Sequence, residues 1–456
     1  MREKIRKMLS KVRIPFIEVH LEERQGVLIR YVGKELELLN QYVDIGGNVR
    51  AFSNGVWSLA SFNSSDELKS NIDFAAKQAR LGGKGNKGKL ARTKPYVDEI
   101  NLKIKDNPRD VSIDEKVRVV KAYNSQILKA KKVQSSRVLY EDVFQRRFYI
   151  NSEGSDIVEE HVYCGIGFTA IAKDGANIQM ISKSFGDTSG FNIVYGHEEA
   201  VEEVKKDAVD LLKAKKVKAG VYTIIADPLL TGVFAHEAFG HLSEADFISK
   251  NKNMQKIMKL GRKFGRKSLT VIDDGTMKGM RGSYKYDDEG VPSQKNYLIK
   301  DGKLVGRLHS RESAFRLHER PTGNARAINY RFPPIVRMTN TYIKRGNMSF
   351  DDLIRDVDNG IYAVSALGGQ TELEMFTFSS GKAYMIKNGK IVSMVRDVIL
   401  TGNVFETLKN IDGIGSELKM HGGLGGCGKD GQFPLPVSDG GPHIRIRNVV
   451  VGGKKG

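Results

Sequence analysis

Cysteine is nearly missing from this chain: Cys164 and Cys427 are its only two. A secreted disulfide framework needs several, so none is expected. Each thiol is judged by its surroundings in a reducing, cytoplasmic setting. Long hydrophobic runs are missing as well. None approaches the roughly 20 apolar residues of a membrane-spanning helix, which removes a membrane from the expected partners. The first residues, Met1 to Leu9, carry basic charge with no apolar segment behind it. They read as a short amphipathic helix and not as a signal peptide.

What the chain has is size and charge. At 456 residues it exceeds what one hydrophobic core supports, so two or three domains are expected. Hydrophobic residues at 40% and charged residues at 28% describe a soluble globular protein that needs no disulfide staple. The net charge of +19 invites a nucleic-acid reading. Yet the lysines are spread along the chain, and the densest stretch, Lys84 to Lys94, is interleaved with glycines. No zinc-finger, RNA-recognition or helix-turn-helix pattern accompanies it, so nucleic acid is not an expected partner.

After the first helix, residues 14–62 read as strands, with Asn54-Gly55 as a hairpin turn between apolar runs. A helix over 65–81 follows, capped by Ser64 or Ser65, and then a glycine-rich loop or linker over 82–89. Ser112 and Glu115 form a capping box that opens a helix to about Lys131. Alternation over 136–186 predicts strands with a turn at Lys173-Asp174-Gly175, and a helix over about 197–214 closes this half. Its lysine-rich end marks the main border. The second half opens with a strand, Val221 to Ala226, then Asp227-Pro228 and a helix over 229–249. Beyond it the pattern is strand and loop, with short helices near 311–318, 350–356 and 403–410. Residues 297–305 and 384–392 echo each other, which fits an internal duplication or two type I′ hairpins equally well. The expected class is α+β with two domains, 1–215 and 216–456, built of mostly antiparallel sheets with helices on them.

The most informative stretch is Leu230 to Glu244, which contains His236-Glu237-Ala238-Phe239-Gly240-His241. Neutral imidazoles are good zinc ligands, and a carboxylate beside one can reach a metal-activated water without occupying the metal. Zincin helices place their histidines four residues apart, on one face. Here the spacing is five, which on a regular helix turns the second ring roughly 140° from the first. A single π turn would bring them together, and Gly240 would ease that turn or a close backbone approach. A catalytic zinc also needs a third protein ligand. The candidates are the other histidines, Glu244, Asp246, Cys164 and Cys427. Cys164 lies in a strand pattern and reads as a small buried hydrophobe. Cys427 lies in a glycine-rich loop that permits close approach to another element, with Lys429 near enough to favour its thiolate.

With these residues in view, the chain resembles the TldD/PmbA metallopeptidases over nearly its whole length. The motifs are HEAFGH at 236–241 with Glu244, DDEG at 287–290, PTGNAR at 321–326, RMTNT at 337–341 and GGCGKDGQ at 425–432. The resemblance implies one zinc ion per chain on His236, His241 and Cys427, with Glu237 as the base. It also implies the TldD-type, active branch, since the inactive branch lacks these ligands, and it makes residues 216–456 the metallopeptidase domain. The partners it implies are a peptide or unfolded polypeptide substrate and a second subunit, either another copy or a TldE/PmbA-like chain. A thiolate ligand favours zinc over iron or manganese. Glu244 is expected either to orient one imidazole from behind or to be a solvated helix residue, the two readings standing equal. The strand-rich second half gives a cleft edge to which substrate could add as a strand. His443, which departs from the family pattern, reads as part of a solvent-facing strand. Two rival readings are a cysteine-dependent hydrolase using Cys427 with His421, and a non-enzymatic, zinc-containing nucleic-acid-binding protein.

Overall fold

Strict alternation over long strands builds the first half. In the computed structural model, which describes residues 1–81, 88–372 and 374–452, a seven-stranded sheet holds β1 (Phe16–Val32), β2 (Glu35–Ser53), β3 (Val56–Phe62), β4 (Val97–Ile100), β5 (Val133–Asn151), β6 (Asp156–Asp174) and β7 (Asn177–Asp187). The order is β3-β2-β1-β5-β6-β4, with β7 also on β6, and every pairing is antiparallel except β4 with β6. Asn54 and Gly55 take the positive φ values, 49° and 76°, of the predicted hairpin turn. Most of the glycine-rich stretch expected as a linker, residues 82–87, lies outside the described residues.

The two faces of this sheet differ in character. On β1, Ile17, Val19, Val27 and Ile29 point to one side and are buried under helices α1 (Arg2–Leu9), α2 (Leu68–Arg80), α3 (Ile113–Ile127) and α4 (Glu198–Lys213). Ser112 caps α3 through the Glu115 N–H, and the helix ends at Ile127, short of the predicted Lys131. The opposite face is polar yet closed: Glu18 is 0% exposed and Arg50 3%. It docks the second half of the chain. Asp288 Oδ1 accepts from Arg147 at 2.7 Å, Glu289 Oε1 from Arg50 at 3.3 Å, and the Glu289 carbonyl from Tyr149 at 3.0 Å.

The second half contains a six-stranded and an eight-stranded sheet around one large apolar core. Helix α5 (Pro228–Ala235) lies between them: Phe234 packs edge-on against Phe376 and Phe378 of the larger sheet, while Gly232 is backed by Gly440 of the smaller. A Cβ on Gly232 would collide with the Gly440 backbone. The architecture is α+β with mostly antiparallel sheets, as predicted.

Two local expectations are corrected. The helix expected over 229–249 is interrupted after Ala235 and resumes as a separate helix, Ala245–Lys250. A helix at Lys252–Ile257 was not expected; six residues are too few for a periodic signal, and Asn251 caps it through the N–H groups of Asn253 and Met254. The echoing segments lie in different sheets. Their likeness is turn chemistry, with positive φ at Asp301-Gly302 and at Asn388-Gly389. Among the described residues no helix is long and apolar enough to cross a membrane.

Candidate metal centre

The two histidines meet because the helix changes pitch between them. Asp227 caps α5 by accepting from the Leu230 N–H at 2.8 Å, and Pro228 occupies the first turn, where its missing N–H costs nothing. From His236 to Gly240 the chain makes a π turn, followed by a 3₁₀ turn at His241–Ser243. The wider π turn restores the alignment that a five-residue spacing loses on a regular helix. The imidazole centroids lie 5.2 Å apart, nearly perpendicular at 88°. Gly240 serves close approach: a Cβ there would overlap the Met338 sulfur.

Cys427 arrives from the other end of the domain, on a two-stranded hairpin of Cys427–Lys429 and Gln432–Leu435. Its Sγ lies 3.4 Å from His241 Nε2, and the ligating atoms of His236, His241 and Cys427 all fall within 4.8 Å of one another. His236 and Cys427 are buried, and among the described residues the His236 Nδ1 has no hydrogen-bond partner. A tetrahedron with zinc–ligand bonds of about 2.0–2.3 Å has edges of about 3.5 Å. Two nitrogens, one sulfur and these separations fit zinc. The cluster is also electrostatically poised. Burial alone would raise the Cys427 thiol and depress both imidazoles. The attraction between Cys427 and the imidazoles wins, holding the thiol well below its ordinary value and lifting His236, while the Glu244 carboxylate, together with Cys427, raises His241 to about 11.

Glu244 is buried, not solvated, at 2% exposure, and its Oε2 lies 3.1 Å from His241 Nδ1. Burial opposes its charge, but Lys429 and His241 outweigh it and hold the carboxyl at about 2. Lys429 therefore has a different role from the one expected of it beside Cys427. Its Nζ reaches Glu244 at 3.0 Å, both Asp246 oxygens at 2.8 Å and the Val336 carbonyl at 2.9 Å, tying the cysteine hairpin to the histidine segment. Asp246, a candidate ligand by sequence, is occupied by that contact. Cys164 is buried under Tyr140, 3.8 Å from its hydroxyl, with its thiol pushed up to about 12 mainly by burial. His443 is half-buried between Tyr362 and Phe350, in a loop and not in a solvent-facing strand. His421 lines the cleft, depressed to about 4 by burial and nearby lysines, and its Nε2 is unpartnered among the described residues.

Sequence reading missed two further residues. Arg337, fully buried, donates to the Cys427 carbonyl at 2.6 Å and the Gln432 carbonyl at 3.3 Å, so it fixes the hairpin; its place in the RMTNT motif was the available signal. Asp439 lines the cleft beside the histidines, and burial, opposed by His236 and aided by Glu237, pushes its carboxyl up to about 7. Nothing in its local sequence marks it. The cleft itself measures about 1110 Å³ and is walled by both halves of the chain: Arg137, Thr169 and Ser182 on one side, His236, Glu237 and Gly369 on the other.

The chain belongs to the PmbA/TldD family of metallopeptidases. Family profiles described as PmbA/TldA metallopeptidase domain 1, central domain and C-terminal domain match residues 17–81, 106–216 and 219–453. A Synechocystis metalloprotease is 42% identical over 96% of this chain and 95% of its own length. A protein of Saccharolobus solfataricus named zinc metalloprotease TldD homolog is 32% identical over 69% and 70% respectively. Among solved structures, TldE of Thermococcus kodakarensis superposes with a TM-score of 0.79 at 19% identity, covering 99% of both chains. At that identity the likeness is one of fold.

Proposed function

We propose that this chain is a zinc-dependent peptidase that hydrolyses peptides or unfolded polypeptides, with Glu237 as its general base. The observation that carries the reading is the gathering of His236, His241 and Cys427 at one point of the cleft wall with the Glu237 carboxylate beside them, 4.0 Å from His241 Nε2. When bound by these three residues, zinc supplies a Lewis acid that polarises a peptide carbonyl and acidifies water. Glu237 takes the proton of the attacking water and returns it to the leaving amine. Glu244 accepts a hydrogen bond from the His241 Nδ1–H, which leaves Nε2 free to ligate. Arg337 holds the Cys427 backbone, and so the thiolate, in place.

The cleft also offers substrate a backbone. In the strand Asn359–Glu372, residues 360–363 pair on both sides, with Thr223–Ala226 and with the strand Met375–Lys387. Residues 366–371, which line the cleft, pair on one side alone among the described residues. An extended peptide adding to that open edge is read through its main chain more than its side chains. A cleavage map with a sharp side-chain preference at every position would count against this. The second subunit is a further copy or a TldE/PmbA-like chain, supported by the family membership, and light scattering with and without such a chain distinguishes the two.

Metal analysis and peptidase assay on wild type, Glu237→Gln and Cys427→Ser test the central reading. Glu237→Gln keeps its zinc and loses about 10²–10⁴-fold in rate, the usual contribution of a general base. Cys427→Ser loses the metal. Activity that survives a chelator would instead favour the cysteine hydrolase, and full function in Glu237→Gln a structural metal.

A further inference from the structure

Where the two halves dock, a second and smaller cavity of about 220 Å³ opens. It shares Gly425 and Phe433 with the metal cleft, so the two spaces adjoin across the cysteine hairpin. Four arginines line it. Three are engaged: Arg147 binds Asp288 at 2.7 Å, Arg326 donates to the Met338 and Pro436 carbonyls at 2.6 and 2.7 Å, and Arg24 donates to the Ile328 carbonyl at 3.1 Å.

Arg281 is not. It is 4% exposed, and among the described residues its guanidinium has no hydrogen-bond or ion-pair partner; Nε and Nη1 are both sealed from solvent. Its stem passes over Gly186 of β7, whose missing side chain leaves the room, and carries the charge onto the polar face of the first sheet. The carboxylates that attract it, Glu141 and Asp187, make no hydrogen bond to it among the described residues, and burial pushes the guanidinium below its ordinary value. A buried charge left unpaired is strongly unfavourable, so this wall of the cavity is electrostatically incomplete.

We infer that the Arg281 cavity is a carboxylate-binding site, which takes an acidic side chain or the C-terminal carboxylate of the peptide lying in the adjoining cleft. A carboxylate entering the cavity takes a charge-assisted hydrogen bond from Nη2, the guanidinium nitrogen that is not sealed, and compensates the charge behind it. The volume suits one such group and excludes a nucleotide or a folded element. The identity of the ligand rests on the peptidase reading; the binding does not. Two measurements separate them.

In the first, N-acetylglutamate and inorganic phosphate are titrated by calorimetry into the zinc-loaded full chain in chloride-free buffer, without turnover. Saturable N-acetylglutamate binding is expected, weakened at least tenfold in Arg281→Met, partly kept in Arg281→Lys, and tightened in Glu141→Gln, where the competing carboxylate is gone. No saturable carboxylate binding by the folded wild type, or binding unchanged in a folded Arg281→Met, overturns the inference, as does binding of phosphate alone. In the second, cleavage of one peptide is compared with its Glu→Gln and its C-terminally amidated forms. The form that loses kcat/KM in wild type but not in Arg281→Met identifies the carboxylate's source. Equal ratios in both enzymes overturn the substrate role. Carboxylate binding without any cleavage would refute the peptidase reading while leaving the site standing.

Discussion

Gly240 shows how one residue serves two purposes in the metal site. It ends the π turn that aligns His236 with His241, and it makes room for the Met338 sulfur, which a Cβ would overlap. Met338 is wholly buried and cannot move into solvent. Gly240→Ala should therefore behave as an overpacked core and cost about 1–3 kcal/mol, read as a lower urea midpoint. Shortening the neighbour in a Gly240→Ala/Met338→Ala double variant should recover part of that loss. A double variant no more stable than the sum of the two single changes would show that the glycine is needed for backbone geometry alone.

At the scale of elements, the site is a junction of a helix and a hairpin separated by most of the domain, and Lys429 is the tie. It binds Glu244 and Asp246 on the helical side while its own strand carries Cys427. Removing it as Lys429→Met leaves Glu244 buried without its strongest counter-charge, so His241 loses a fixed partner. Zinc affinity should fall about 10–100-fold, the usual effect of disturbing a ligand's support. Competition against a chromophoric chelator measures it, and unchanged affinity would mean that the two elements hold together without the tie. This tie also marks how far the sequence was legible. The His-Glu-His spacing was enough to require a π turn, because helical geometry is local. The Asn-Gly and Asp-Gly turns were legible for the same reason. The role of Lys429 was misjudged because its place two residues after Cys427 suggested an electrostatic effect that the fold directs elsewhere. The sheet face carrying Glu18, Arg50 and Arg147 alternates as a solvent-facing side would, and only the docking of the second half buries it. Long-range burial of polar residues leaves no periodic trace.

That docked face sets how the whole molecule should respond to acid. Burial would raise the Glu18 carboxyl, but Arg50, His20 and Tyr149 hold it at about 2. Glu159, buried beside His161 and Arg147, is likewise held at about 2. Each has a folded-state value below its unfolded one, so its stabilisation is complete above about pH 4.5 and drains away as the pH falls towards 2. For Glu18 the gap corresponds to roughly 3 kcal/mol. Glu289, Glu22 and Asp287 work in the opposite sense, since burial pushes their carboxyls up, so only a comparison with a Glu18 variant isolates what Glu18 contributes. Between pH 7 and pH 4 the urea midpoint should therefore lose more in the wild type than in Glu18→Gln. Glu18→Gln should be less stable at pH 7 and flatter across that range, because the group that loses its charge is gone. Because both halves wall the metal cleft, loosening this interface opens the cleft as well. Peptidase activity assayed at pH 7 after exposure to pH 4 and urea should thus be lost in step with the docking, not after it. An identical pH slope in wild type and Glu18→Gln would place the acid-sensitive contact elsewhere and leave the buried polar face without this role.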